Sequence, residues 1–203
     1  MGYVRLKPRS WPANQDDEKR EEFKREIQII RVKADVDLWF CDETGIEGDP
    51  IPRKIICRKG ESPRINYFGS HIKSSVVGAV RVRDGKFTSL IMPFMDSDLF
   101  QYFLNELQEA VDRSRHNIIV MDNASWHKTK KLDWGVLEPM YLPTYSPDFN
   151  PIEELWLAIK REFFSWFWTN NHDKLDDRLE IALKYYIARP YLVQSICSMR
   201  TFK

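Results

Sequence analysis

The sequence has little of what marks several common protein classes. Its 203 residues include only 8 Gly, which leaves little room for loose linkers and none for a collagen-like repeat. Three cysteines, Cys41, Cys57 and Cys197, are odd in number, widely separated and without a Cys-x-x-Cys pair; this fits reduced buried thiols better than bridges or zinc. The longest apolar stretches, such as Leu90 to Met95 and Ile118 to Met121, fall far short of the roughly 20 residues of a membrane-crossing helix. Met1 to Pro12 has basic residues but no apolar h-region, and Leu6 occupies the place where a myristoylation signal needs Ser or Thr, so the cytosol is the expected compartment. Without a secretory route the Asn123-Ala-Ser125 sequon carries no glycan expectation. There is no Gly-x-x-x-x-Gly-Lys loop, no His-Glu-x-x-His and no Gly-x-Ser-x-Gly string. A nucleotide cofactor, zinc peptidase chemistry and serine hydrolase chemistry therefore have no support.

Net charge is also scarce, at +1 overall, yet its distribution is uneven. Between Ile51 and Arg83 stand Arg53, Lys54, Arg58, Lys59, Arg64, Lys73, Arg81 and Arg83 against Glu61 alone, a local +7. Such a block suits phosphates, or else a solvated loop and strand face. What is abundant is core material: 43% hydrophobic, 13% aromatic and 30% charged residues describe one globular folding unit.

Hydrophobic periodicity then orders the chain. Asp16-Asp17-Glu18 opens a helix carrying Phe23, Ile27 and Ile30, after an extended arm over residues 1–15. Asp37 to Glu43 reads as a buried strand ending in a loop, Arg64 to Gly69 and Ser74 to Arg83 as further strands, and Asp84-Gly85 as the turn of a hairpin with Lys86 to Pro93. Ser97 to Arg113 spaces Leu99, Phe100, Phe103, Leu104, Leu107 and Val111 as an amphipathic helix. Asn117 to Asn123 and Met140 to Pro143 read as covered strands, followed by helices from Ile152 to Phe163 and from Asp173 to Ala188. Antiparallel pairs first and helix-connected strands later predict an α/β fold with a mixed sheet flanked by helices.

Three acids fall where such a sheet gathers ligand sites: Asp42 at the end of the first strand, Asp122 at the end of the strand after the amphipathic helix, and Glu153 at the start of a helix. Carboxylates brought together repel, a cost that divalent cations offset, and an oxygen-only donor set favours Mg²⁺ or Mn²⁺. Two such ions activate a water or 3′-hydroxyl on one side of a phosphodiester and stabilise the leaving oxygen on the other. Taken singly, each acid also reads as turn or helix-dipole chemistry.

Asp122-Asn-Ala-Ser-Trp-His127 and Leu142-Pro-Thr-Tyr-Ser-Pro-Asp-Phe-Asn-Pro-Ile-Glu153-Glu-Leu-Trp156, with Asp42-Glu-Thr-Gly45 and Arg58-Lys-Gly60, resemble the DDE transposases of the Tc/mariner superfamily, in particular its bacterial insertion-sequence branch. The resemblance runs from about Asp35 to Lys160 and implies a ribonuclease H-like fold, two Mg²⁺ (or Mn²⁺) ions, DNA as partner and a homodimer. It assigns Asp42, Asp122 and Glu153 as the catalytic, metal-holding triad; 30 residues separate the last two, slightly fewer than the family's usual low to middle thirties. Glu154 is the rival third acid, but adjacent helical residues point about 100° apart, and the motif selects Glu153. Asn123, His127, Lys160, Arg58 and Lys59 are candidate DNA contacts, each with a structural or solvent reading beside it. Trp156 reads as core, whereas Trp166 and Trp168 are the better exposed candidates for base stacking. Where the family has a Trp before the Arg58-Lys-Gly60 turn, this chain has Ile55-Ile56-Cys57.

Family members carry an N-terminal helix-turn-helix region that reads the element's ends, and this sequence starts too late to contain one. Residues 1–33 are expected to form an interdomain arm and linker helix, with Arg5, Lys7, Pro8 and Arg9 on DNA or a partner subunit, and residues 34–203 the catalytic domain. The expected function is metal-dependent DNA strand cleavage and strand transfer. The alternative is a non-catalytic DNA-binding or assembly remnant that regulates full-length transposase.

Overall fold

Val36 to Cys41 are buried without interruption, the pattern of a strand covered on both faces. The strand they begin, β1 (Val36–Glu47), is the centre of a five-stranded sheet in the computed structural model, which describes residues 15–65, 69 and 71–198. The proposed basic arm at Arg5, Lys7, Pro8 and Arg9 lies outside the described residues. On one side β1 pairs antiparallel with β2 (Lys73–Arg81), which pairs antiparallel with β3 (Lys86–Met92) across the expected Asp84-Gly85 turn, where Gly85 takes a φ of +75°. On the other side β4 (His116–Met121) and β5 (Leu137–Tyr141) run parallel to it. The order β3-β2-β1-β4-β5 is the mixed, ribonuclease H-like sheet that the sequence implied.

Side-chain alternation divides the core in two. Leu38, Phe40, Ile118 and Val120 pack against Phe23, Ile27 and Ile30 of α1 (Asp17–Ile30), a helix capped by Asp16 accepting from the Lys19 amide. Trp39, Cys41, Ile119 and Met121 face Phe100, Phe103, Leu104 and Leu107 of α2 (Ser97–Ala110). Beyond β1, the β2 and β3 residues Val76, Val80 and Phe87 are covered by α3 (Ile152–Phe163), α4 (His172–Ile187) and α5 (Pro190–Ile196). No helix of the described residues is long and apolar enough to cross a membrane.

At its entrance β1 carries Asp37, fully buried and held by Arg81 (2.7 Å), Arg115 (2.7 Å) and Arg83 (3.2 Å). Arg81 also pairs with Asp84 at 2.7 Å. Three guanidinium groups and two carboxylates thus satisfy one another where a lone buried carboxylate would be costly.

Four expectations need correction. The first strand does not end in a loop after Glu43 but runs on to Glu47, paired with β2 throughout, so Asp42 lies in mid-strand. Arg64 and Ile65 lie in an irregular stretch rather than a strand, and residues 66–68 are outside the described set. Ile55 and Ile56 in this stretch are exposed, so no apolar contact offsets the loss of chain freedom, and Pro52 and Pro63 cannot donate to a ladder. Cys57, in the same stretch, is exposed, while Cys41 and Cys197 are buried as thiols. The short α5 was not anticipated, although Pro190 at its first turn is a starting signal.

Gly78 pairs with Asp42 across the β1–β2 ladder and leaves the space that the Trp156 ring fills. A Cβ there would lie 2.8 Å from Trp156 Cη2 and 2.9 Å from Phe87 Cε2. Gly78→Ala is therefore expected to cost about 1–3 kcal/mol, lowering Tm in a thermal melt by roughly 2–4 °C per kcal/mol; an unchanged Tm would mean that the indole moves aside freely.

Candidate active site

The parallel pairing of β1 with β4 sets two acids side by side. Phe40 is in register with Val120, and two residues farther along each chain lie Asp42 and Asp122. Both therefore share the face of Leu38, Phe40, Ile118 and Val120. Glu153 arrives on the first turn of α3, on that same face of the sheet.

The turn-rich segment before α3 is tied down at three points. Arg20 of α1 donates to Ser146 Oγ at 2.6 Å, pairs with both Asp148 oxygens at 3.1 and 2.7 Å, and stacks over the Phe149 ring at 4.1 Å. Asn150 Nδ2 donates to the Cys41 carbonyl at 3.0 Å, directly before Asp42. Asn123 Nδ2 donates to the Leu142 carbonyl at 2.6 Å, joining the ends of β4 and β5. The result is one cavity of about 430 Å³ whose wall includes Asp42, Asp122, Asn123, Tyr145, Asn150 and Glu153. Glu154 is exposed and is not part of this wall.

The charges in the cavity are held unequally. Burial, with the neighbouring charges of Glu153 and Glu43, pushes the Asp42 carboxyl up to about 8, while the Trp156 indole N–H donates to its Oδ2 at 3.1 Å. Glu153 is also raised, chiefly by burial, with Lys160 opposing. Asp122 is lowered by the His127 hydrogen bond, aided by the Ala124 amide at 2.9 Å. His127 itself is fully buried, with Nδ1 2.9 Å from Asp122 Oδ1 and Nε2 2.9 Å from Glu43 Oε1. Burial works against its charge, but the two carboxylates outweigh burial and raise it to about 9, so both ring N–H groups donate as an imidazolium.

These contacts revise the roles read from sequence. His127 is an internal brace between two carboxylates and does not present a ring nitrogen to a ligand. Asn123 spends its amide N–H on the backbone while lining the cavity. Lys160 is half-buried and acts electrostatically on Glu153. Arg58 and Lys59 lie in the exposed stretch between β1 and β2, in a turn closed by Glu61, and do not line the cavity. Sequence reasoning missed Arg20, Glu43, Asn150 and Tyr145; for Arg20 the available signal was a cation three residues before Phe23, on the buried stripe of α1.

Carboxylate oxygens dominate the polar lining, and the buried Asn150 Oδ1 has no hydrogen-bond partner. Among the described residues no group of three or more His, Cys, Asp or Glu side chains is drawn together closely enough to hold a metal ion. An oxygen-rich, electron-rich wall with an unused acceptor still suits a hard divalent cation such as Mg²⁺ or Mn²⁺ rather than zinc.

Comparison with known proteins agrees with this geometry. The family described as DDE superfamily endonuclease matches residues 37–176. The chain is 30% identical over 122 residues to the uncharacterized protein y4pE/y4sA of Sinorhizobium fredii, covering 60% of this chain and 90% of that one. It is 27% identical over 131 residues to the insertion element IS630 uncharacterized 39 kDa protein of Shigella sonnei, covering 62% of this chain but only 38% of that protein. Its fold matches the catalytic domain of Mos1 mariner transposase with a TM-score of 0.59 and 13% identity, over 95% of this chain and 94% of that one. The Mos1 paired-end complex with Mg gives 0.65 and 18%, over 97% and 65%.

The uncompensated carboxylates predict a stability cost in the metal-free protein. A carboxyl raised from 3.8 to about 8 on folding contributes stability at low pH that is lost as pH rises from about 4 through 8. In EDTA, Asp42→Asn is expected to have the higher Tm, by a few degrees, with the difference widening from pH 5 to pH 8. Equal melting curves across that range would contradict the charge assignment.

Proposed function

Because the chain belongs to the DDE superfamily endonuclease family, we propose that it is the catalytic domain of a Tc/mariner-type transposase, cleaving DNA strands and joining the freed 3′ end to target DNA. The observation that carries this reading is that Asp42 in the middle of β1, Asp122 just past the end of the parallel strand β4 and Glu153 at the start of α3 line one cavity. The chain spans 38% of the insertion-element protein and about two thirds of the Mos1 chains in DNA-end complexes, so end recognition, partner subunits and the complete reaction belong to the proposal.

In this reading Asp42, Asp122 and Glu153 hold two Mg²⁺ or Mn²⁺ ions. When bound, such ions activate a water or 3′-hydroxyl towards phosphorus and stabilise the departing oxygen. The rest of the work is done by the protein. His127 keeps Asp122 ionised and aligned, and it fixes Glu43 at the same time. Trp156 orients Asp42 through its indole N–H and closes the apolar side of the site against water. Asn150 and Arg20 set the approach of α3 and with it the position of Glu153. The exposed cations Arg53, Lys54, Arg58 and Lys59 and the half-buried Lys160 offer charge to DNA phosphates, contacts that position a duplex without specifying its sequence. A dimer, holding two DNA ends together, completes the assembly.

Supercoiled plasmid incubated with the chain and Mn²⁺ or Mg²⁺ is expected to be nicked, and nicking is expected to vanish with EDTA or in Asp122→Ala. His127→Ala, which leaves the carboxylates unbraced, is expected to lower metal affinity or activity about 10–100-fold. DNA binding by a folded protein with no metal-dependent nicking would overturn the catalytic reading in favour of a regulatory DNA-binding module.

A further inference from the structure

Tyr145 lies in the cavity wall, yet it does none of the holding done by its neighbours. Its φ is +58°, and among the described residues only Trp166 (φ +66°) shares the left-handed region without being glycine. That conformation is costly for a bulky aromatic residue. Two contacts enforce it: Gln15 Nε2 donates to the Tyr145 carbonyl at 2.8 Å, and the next residue, Ser146, is buried beneath Arg20. Burial gives no compensation, since Tyr145 remains 53% exposed. Glycine or asparagine would meet the backbone requirement at lower cost, so the aromatic ring carries a function that folding does not need.

We propose that Tyr145 is a substrate-positioning residue that stacks on a nucleobase flanking the scissile phosphate. The proposal rests on the transposase reading of the same cavity. An exposed ring beside a row of carboxylates cannot attract the DNA backbone, but it offers an uncharged platform to a base turned out of its stack. Stacking of this kind is tolerant of sequence. It would fix the phosphodiester relative to Asp42, Asp122 and Glu153 at a point where the acids alone repel it. Rotation of a base onto Tyr145 also explains why the loop is braced so heavily from α1: a platform that yields would position nothing.

The test uses the full chain and a duplex with a short 3′ overhang carrying 2-aminopurine. Wild type and Tyr145→Phe are expected to quench the probe on binding, whereas Tyr145→Gly is expected not to. Tyr145→Gly should also lose about five- to a hundredfold in Mn²⁺-dependent nicking, with the salt dependence of DNA binding unchanged because no phosphate contact is removed. Its Tm is expected to equal or exceed that of wild type, since glycine relieves the backbone, which separates the loss from misfolding. Quenching and nicking by Tyr145→Gly at the wild-type level would overturn the proposal while leaving the transposase reading intact. Tyr145-dependent quenching without nicking by wild type would support the stacking role and overturn the catalytic reading.

Discussion

Like charges gathered in a partly buried place must be held there by something else, and much of the architecture around the cavity answers that requirement. Asp42 in the middle of β1, Asp122 just past β4 and Glu153 at the start of α3 line one cavity, with Glu43 beside Asp42, and burial together with neighbouring acidic charges disfavours ionisation of Asp42 and Glu153. His127 offsets part of the charge from inside, bridging Glu43 and Asp122 under the aromatic cover of Phe100 and Trp126. Trp156 supplies a neutral donor to Asp42, and Gly78 exists in β2 so that the indole can reach it. The arrangement leaves an excess of negative charge, which is what the proposed divalent-cation site requires.

The other end of β1 shows the contrast. Asp37 is fully buried and meets three guanidinium groups; five residues on, Asp42 meets an indole and other acids. Neutralisation at the first position secures the strand within the sheet, and its lack at the second leaves the middle of the strand free for the proposed chemistry. Stability and function are thus divided along a single strand, with the apolar run Leu38 to Cys41 between them.

Most of the fold was legible in the sequence because periodicity reports burial directly. The continuous apolar runs gave β1 and β4, the Asp84-Gly85 turn gave the hairpin, and spaced aromatics gave α2 and α3. Arg64, Ile65 and Gly69, the described residues of the expected strand, are irregular, because local composition cannot show whether a partner strand exists to pair with them. The acids at strand ends and the motif around Glu153 made the candidate triad readable, and the cavity brings those three side chains together. Arg20, Glu43 and Asn150 were not readable, because their roles depend on contacts that span from 84 residues (Glu43 to His127) to 128 residues (Arg20 to Asp148). For His127 the sequence left a ligand or DNA role open beside a structural one for the same reason: only the fold shows that Phe100 of α2 covers it.

The pairing of β1 with β4 has a further meaning for the order in which the molecule assembles. Val36 meets His116, 80 positions farther along the chain, and Glu153 lies beyond β5 and the braced turn in sequence. Non-local strand pairing of this kind closes late in folding, after hairpins and helices. A chain still emerging from the ribosome, or one cut short before α3, holds at most two of the three acids. The proposed cleavage site is therefore incomplete until the whole sheet and α3 are in place.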